Sequence, residues 1–419
     1  MSKAPGPVPQ QLRDRSAFLL IVGATFGLQA LTLVTGVIIA RTLGVEGRGI
    51  VALIFALGVL ASQLSFGGSP PVALAKNLAE HQVAMRDGLR GIAVRRAVLL
   101  LPPCLGVTLL FLVLHEDSSE ARTDVLAAAV FVMALQTMVF RLLAGGLQGE
   151  RRLVRMAWVG LTPQLLFAIS LSVAWAAGLG WGVTDMLIAY FVSCLLGILA
   201  SFSSLARPTG RDEDRLQEAE LWRESRRSYL SAVRPLDGLS LDRVVVGTMS
   251  MTALGLYSAA VAVSNLCSLV SNAVSVIVLP RVALHHDRLD LQRAVIRRWV
   301  LLSAALITAT VAALQVVVEP VIRLAFGAEF VGAVEAARWL ILADGLMAMR
   351  KVLIAVLQGQ GRGGAASWVE VALLPLMLLG IGAAAALGSL PGVGMALTAV
   401  GLVACILLGR LVARGRLSS

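Results

Sequence analysis

The sequence predicts an all-α, polytopic membrane protein of about twelve spans, built as two six-helix lobes of the same orientation. Three observations carry this reading. Apolar residues come in runs long enough to cross a bilayer. Basic residues sort between alternate loops. The two halves of the chain also repeat each other at an offset of 210 residues.

The apolar runs come first. Of 419 residues, 58% are hydrophobic and only 15% charged, where a soluble domain carries about a quarter charged residues. Ser16–Ala40 is a stretch of 25 residues without a charge, and Leu254–Leu279 is another such run. About 20 apolar residues cross the hydrocarbon core, so runs like these read as spans. The expected spans are 16–40, 49–67, 97–114, 123–147, 156–178 and 183–204, then 229–252, 254–279, 299–322, 332–358, 366–388 and 392–409. Met1–Arg15 is polar and precedes a run of full length, which predicts a retained first span in place of a signal peptide.

Charge sorts with loop parity. Counting from the N-terminus, one set of loops together with both termini holds 26 Lys and Arg residues, and the alternate loops hold four: Arg41, Arg48, Arg122 and Arg323. Basic residues accumulate on the cytoplasmic side, so both termini are expected in the cytoplasm of a bacterial inner membrane. The same bias accounts for the net charge of +11 without a nucleic-acid partner.

The repeat fixes the lobes. Leu147-Gln148-Gly149 recurs as Leu357-Gln358-Gly359, Trp158-Val159 as Trp368-Val369, and Val72-Ala73-Leu74 as Val282-Ala283-Leu284, while Arg141 falls on Lys351. Six spans per half leave the two copies parallel, related by an axis along the membrane normal, with a cleft between them that supports alternating access. The expected division is a first lobe over 1–204, a cytoplasmic linker over 205–228 and a second lobe over 229–419.

Enzymatic and metal chemistry find no motif. The four cysteines lie far apart inside apolar runs, which suits packing and gives neither a disulfide framework nor a zinc site. His81, His115, His285 and His286 all fall in loops. The Gly359–Gly364 run follows a membrane helix, where it reads as a tight turn and not as a phosphate loop.

Several stretches resemble the polysaccharide and O-antigen (Wzx-type) flippases of the multidrug/oligosaccharidyl-lipid/polysaccharide (MOP) exporter superfamily. They are Ala40-Arg41-Thr42-Leu43-Gly44 with Gly49, then Asp242-Arg243 with Gly255-Leu256-Tyr257 and Pro280. Phe326-Gly327-Ala328-Glu329-Phe330 and the Leu357–Gly359 turn with Arg362 follow in order. The resemblance implies a MATE/MOP-like fold with a central cavity. It also implies export of a polyprenyl-diphosphate-linked glycan, with glycosyltransferases and a polysaccharide polymerase as partners and no cofactor beyond a coupling H⁺ or Na⁺. Many such flippases, and the related lipid II flippases, have fourteen spans. Twelve here keeps the drug/cation antiporters of the superfamily in play as an alternative. A non-transporting membrane partner of a glycan-assembly complex is the reading from a different class.

Ionisable groups inside the spans are the site candidates, because a charge at the bilayer centre costs about 2.5–3.5 kcal/mol on insertion scales. Span seven carries Arg234, Asp237, Asp242 and Arg243 beside Pro235, which favours a bend or a helix start there. In span ten, Asp344 and Lys351 lie seven residues apart and so share a face; Arg338 and Arg350 lie on the same span. Arg guanidinium groups take phosphate oxygens bidentately. Arg234, Arg243, Arg141 and Lys351 are therefore the expected lining of a net-positive cavity, with Arg41 and Arg48 at its outer mouth. Asp242, Asp237 and Asp344 are the candidates for the coupling ion. Glu370 reads as a cytoplasmic-end residue.

Overall fold

The computed structural model describes residues 10–64, 102–113, 123–149, 153–204, 235–283 and 289–414. Among these residues there are twelve α-helices and no strand: α1 (Gln10–Leu64), α2 (Pro102–Val113), α3 (Thr123–Gly149), α4 (Leu153–Ala176), α5 (Val183–Ser204), α6 (Leu241–Gly247), α7 (Met251–Ser264), α8 (Cys267–Ala283), α9 (Leu289–Val321), α10 (Val334–Gly359), α11 (Gly363–Ala386) and α12 (Leu390–Arg414). Seven are long and apolar enough to cross a membrane, and α7 with α8 makes an eighth if counted as one bent span. The chain is a multi-pass membrane protein.

Spans one and two are the two arms of α1. In a straight helix, rising 1.5 Å per residue, Gly36 and Arg48 would stand about 18 Å apart. Instead the Arg48 guanidinium donates to the Gly36 carbonyl oxygen, so the chain doubles back between them. The reversal is made at Gly44, at φ 69°, ψ −169°, a conformation that costs glycine alone little.

Span seven, expected over 229–252 with a bend or a helix start at Pro235, is broken twice. Residues 235–240 form turns, and Ser240 takes φ 51°, before α6 runs for only seven residues. A second break over 248–250 leads into α7, where the Ser250 hydroxyl caps the helix by accepting from the Ala253 amide at 3.0 Å. Span eight is bent by 49° between α7 and α8. Proline at 235 removes a donor, and the small polar residues around the breaks bond their own backbone in place of the helix ladder. The expected linker over 205–228 lies outside the described residues.

Lipid offers no hydrophobic drive for helices to associate, so packing rests on small residues that let backbones approach. On α12, Gly394, Thr398, Gly401 and Cys405 form one stripe against α10. A Cβ on Gly394 would lie 2.7 Å from the Trp339 Cβ, and one on Gly401 3.0 Å from that of Leu346. The Thr398 hydroxyl donates to the Trp339 carbonyl at 3.2 Å, and the Cys405 thiol to that of Leu346 at 3.2 Å. The halves of the chain meet still more closely. Where the second arm of α1 crosses α7, a Cβ on Gly49 would lie 2.0 Å from the Met251 carbonyl oxygen, and one on Gly255 1.9 Å from that of Val45. Outward, Leu109, Val316, Leu379 and Trp368 stand exposed, the surface that acyl chains cover. Hydroxyls inside the helices, such as Thr137 on Met133 and Ser193 on Ala189, donate one turn back, which leaves them satisfied without water.

Gly394→Leu is expected to lower stability by about 2 kcal/mol or more, because overpacking at a tight contact displaces a backbone. Gly382→Leu, where a Cβ meets nothing within 4 Å, serves as the control and is expected to be neutral or stabilising. Thermal unfolding of the two variants in detergent, followed by tryptophan fluorescence, compares them.

Candidate functional site

Breaks in span seven turn its ionisable groups inward onto α10. Leu340, Asp344, Met347 and Lys351 recur every three or four residues on α10 and present one face. Against that face lie Asp237 and Ser240 from the turn segment, Asp242 and Arg243 from α6, Tyr257 from α7, and Asn265 and Ser268 at the bend into α8. Together they enclose a cavity of about 160 Å³. Five of the nine candidate residues thus share one cavity wall: Asp237, Asp242, Arg243, Asp344 and Lys351.

Each carboxylate in this wall has a distinct setting. Asp242 accepts from the buried Tyr257 hydroxyl at 2.8 Å. Asp344, on α10, has the Ser264 hydroxyl within hydrogen-bond reach. Asp237 faces two cations, Arg350 Nη2 at 3.0 Å and Lys351 Nζ at 3.2 Å. Arg243 differs from the other charged groups. Its guanidinium makes no hydrogen bond or ion pair with any described residue, it faces the cavity, and it lies within electrostatic reach of Arg48.

Behind the wall sits a buried charge cluster. The Arg350 side chain is 1% exposed and bridges Asp237 to Glu370, which is itself buried. This corrects the reading of Glu370 as an end residue: it faces inward from α11 and ion-pairs with α10. Arg350 and Glu370 stand ten residues either side of the turn at Gln360. In a tight helical hairpin, positions equidistant from the turn lie at the same depth, so that spacing was the available signal.

The remaining candidates separate from the cavity. Arg41 donates from Nε to the Ala325 carbonyl at 2.9 Å and from Nη2 to that of Leu324 at 2.6 Å. Arg48 is buried, donates to Ser258 Oγ at 2.8 Å and the Ser258 carbonyl at 3.1 Å, and packs over the rings of Phe326 and Phe330, 4.6 and 5.9 Å from their centroids. Arg48 is thus committed to protein partners, while Arg41 stays exposed with its Nε and Nη2 on backbone carbonyls, and neither lines the cavity. Arg141 lies on α3 and does not line this cavity, and Arg234 lies outside the described residues. Among the described residues of the lining, three carboxylates face two cations. Among the described residues no group of three or more His, Cys, Asp or Glu side chains could hold a metal ion.

No protein-family model matches the chain, and no curated protein matches it in sequence. Solved structures do match in fold. The lipid II flippase MurJ in an inward closed conformation superposes at a TM-score of 0.73, with 13% identity over 95% of this chain and 89% of that one. An inward-facing multidrug resistance MATE family transporter of the MOP superfamily gives 0.67, with 16% identity over 93% and 96%. An outward-facing MATE family transporter of the same superfamily gives 0.60, with 17% identity over 96% and 97%. The fold is that of MATE and MOP transporters.

Arg350→Met is expected to cost about 3–5 kcal/mol, because it strands buried carboxylates without their cation. Arg350→Met with Glu370→Met and Asp237→Asn removes the stranded charges and is expected to recover most of that loss. Thermal unfolding in detergent compares the two proteins.

Proposed function

We propose that this protein is a flippase that carries a polyprenyl-diphosphate-linked oligosaccharide from the cytoplasmic to the outer leaflet by alternating access. The observation that carries the reading is the Arg243 guanidinium, aimed into an intramembrane cavity where it makes no hydrogen bond or ion pair with a described residue and has the Asp344 carboxylate only within electrostatic reach. A charge held there costs free energy unless a partner arrives, and a diphosphate is a partner whose oxygens match the guanidinium fork. Lys351, shared with Asp237, supplies a second cation from the facing helix. Asp344 and Asp242 stand where a proton or Na⁺ would couple to the cycle. The fold supports transport in general. Glycosyltransferases that build the substrate and a polymerase that consumes it are the partners this role requires.

A second reading has its own observation. Three carboxylates against two cations suit a cationic cargo, as in a drug/cation antiporter of the same fold.

Arg243→Gln is expected to reduce export of labelled polyprenyl-linked glycan by about tenfold or more, the effect of about 1.4 kcal/mol of lost binding, at unchanged protein level in the membrane. Export at the parent rate would end the flippase reading. Loss of resistance to a cationic dye in Asp344→Asn, with glycan export intact, would establish the antiporter instead.

A further inference from the structure

We infer that Arg48 is the bolt of a gate that closes the central cleft at one end of the bundle, set beside the pseudo-two-fold axis that relates the halves. The inference rests on the alternating-access reading above and adds the residues that must part.

The position follows from the repeat. Arg48 bonds Ser258, and Gly255 approaches Val45 so closely that a Cβ would lie 1.9 Å from the Val45 carbonyl oxygen. The approach is reciprocal: a Cβ on Gly49 would lie 2.0 Å from the Met251 carbonyl oxygen and 3.1 Å from the Gly255 nitrogen. Since Val45 and Met251, like Gly49 and Gly255, are 206 residues apart, Gly49 and Gly255 are mates that touch at this crossing. Two residues related by a two-fold rotation can touch each other only if both lie beside the rotation axis. The crossing of the second α1 arm with α7 therefore marks that axis. Rocking one half against the other opens or shuts the cleft around such a crossing, and a contact of this closeness holds its end shut.

The chemistry makes the closure strong and specific. Arg48 spends its fork on both halves, donating to Gly36 in one and to the Ser258 hydroxyl and carbonyl in the other. Phe326 and Phe330 roof the guanidinium, so the charge is desolvated and held by the ring faces. Arg41 adds a strap one turn of chain away, from α1 to the carbonyls of Leu324 and Ala325. Loop-charge parity assigns this end to the outside.

The test uses the full chain with its four cysteines replaced by alanine and Ala259→Cys as reporter, since Ala259 is fully buried four residues along α7 from Gly255. A membrane-impermeant maleimide is added to intact cells and, separately, to inverted vesicles. Arg48→Ala is expected to speed labelling from the cell exterior about tenfold or more, the shift that losing two charge-assisted hydrogen bonds gives a two-state equilibrium. Arg48→Lys keeps the charge over the rings but loses the fork, and falls between. Equal labelling rates with and without Arg48, from both faces, overturn the gate. If Arg48→Ala does not accumulate, Ser258→Ala removes one acceptor and is expected to speed labelling several-fold; an unchanged rate overturns the gate equally. Labelling that responds to Arg48 in a protein whose deletion leaves glycan export unchanged keeps the gate and removes the flippase reading, so the two failures are distinct.

Discussion

A backbone inside lipid has no water to fall back on, so every interruption of a helix must find its partners within the protein. This chain interrupts its helices at Gly44, over 235–240 and 248–250, at the bend before Cys267, and over the π-helical and 3₁₀ turns Ile322–Phe326 and Ala328–Ala333. Side chains from other elements serve two of these breaks. Gln63 donates across the halves to the Gly238 carbonyl at 3.2 Å. Arg41 serves the carbonyls of Leu324 and Ala325 where α9 gives out. Among the described residues, the breaks over 235–240 and 248–250 and the bend before Cys267 lie beside the cavity, and Gly44 lies next to the crossing of the halves.

The same constraint governs the charges. Arg350 is tolerated deep in the protein because carboxylates from two directions, Asp237 on the turn segment and Glu370 on α11, are brought to it. This ties an irregular stretch with no helix ladder of its own onto α10. Lys351, next in the chain and turned toward the cavity, shares Asp237. A movement of the turn segment relative to α10 must therefore exchange ion pairs, which couples the cavity's charge to the geometry of its wall.

How far these features could be read from residues alone depends on what kind of information each needs. Span positions and the repeat are one-dimensional properties, and α3, α4, α5, α10, α11 and α12 fall where apolar runs and turn residues place them. Asp237, Asp242, Arg243, Asp344 and Lys351 were found because an ionisable group in an apolar run has few places to point, and all five meet in one cavity. The protein partners of Arg41 and Arg48 were not legible because sequence gives depth in the membrane but not the partner across the seam, and that partner lies 210 or more residues away. The break before α6 was legible at Pro235, whereas the second break over 248–250 and the bend after α7 escaped because each leaves the run apolar enough to pass as one span. The Arg350–Glu370 pair could have been read from its equal spacing about the turn.

The offset that aligns the halves also exposes how differently they are equipped. At 210 residues earlier, Asp237, Asp242, Arg243, Asp344, Arg350 and Glu370 fall on Gly27, Thr32, Leu33, Ala134, Phe140 and Gly160, none of them ionisable. Of this group only Lys351 has a charged mate, Arg141. Even at the seam the halves differ, since the Arg48 guanidinium of one bonds the backbone and hydroxyl of Ser258 in the other. A duplicated scaffold supplies two bodies that can turn about a common axis, and turning needs only their shapes to match. Binding needs one cavity wall with charges of both signs, and charge inside a bilayer costs free energy at every site where it is kept. Concentrating the ionisable groups in the second half limits that cost and leaves the first half an apolar counterpart against which the charged wall can move. The repeat therefore accounts for the motion and the departures from it account for the chemistry, because symmetry places the axis where Gly49 meets Gly255 while asymmetry places the cavity beside Arg243.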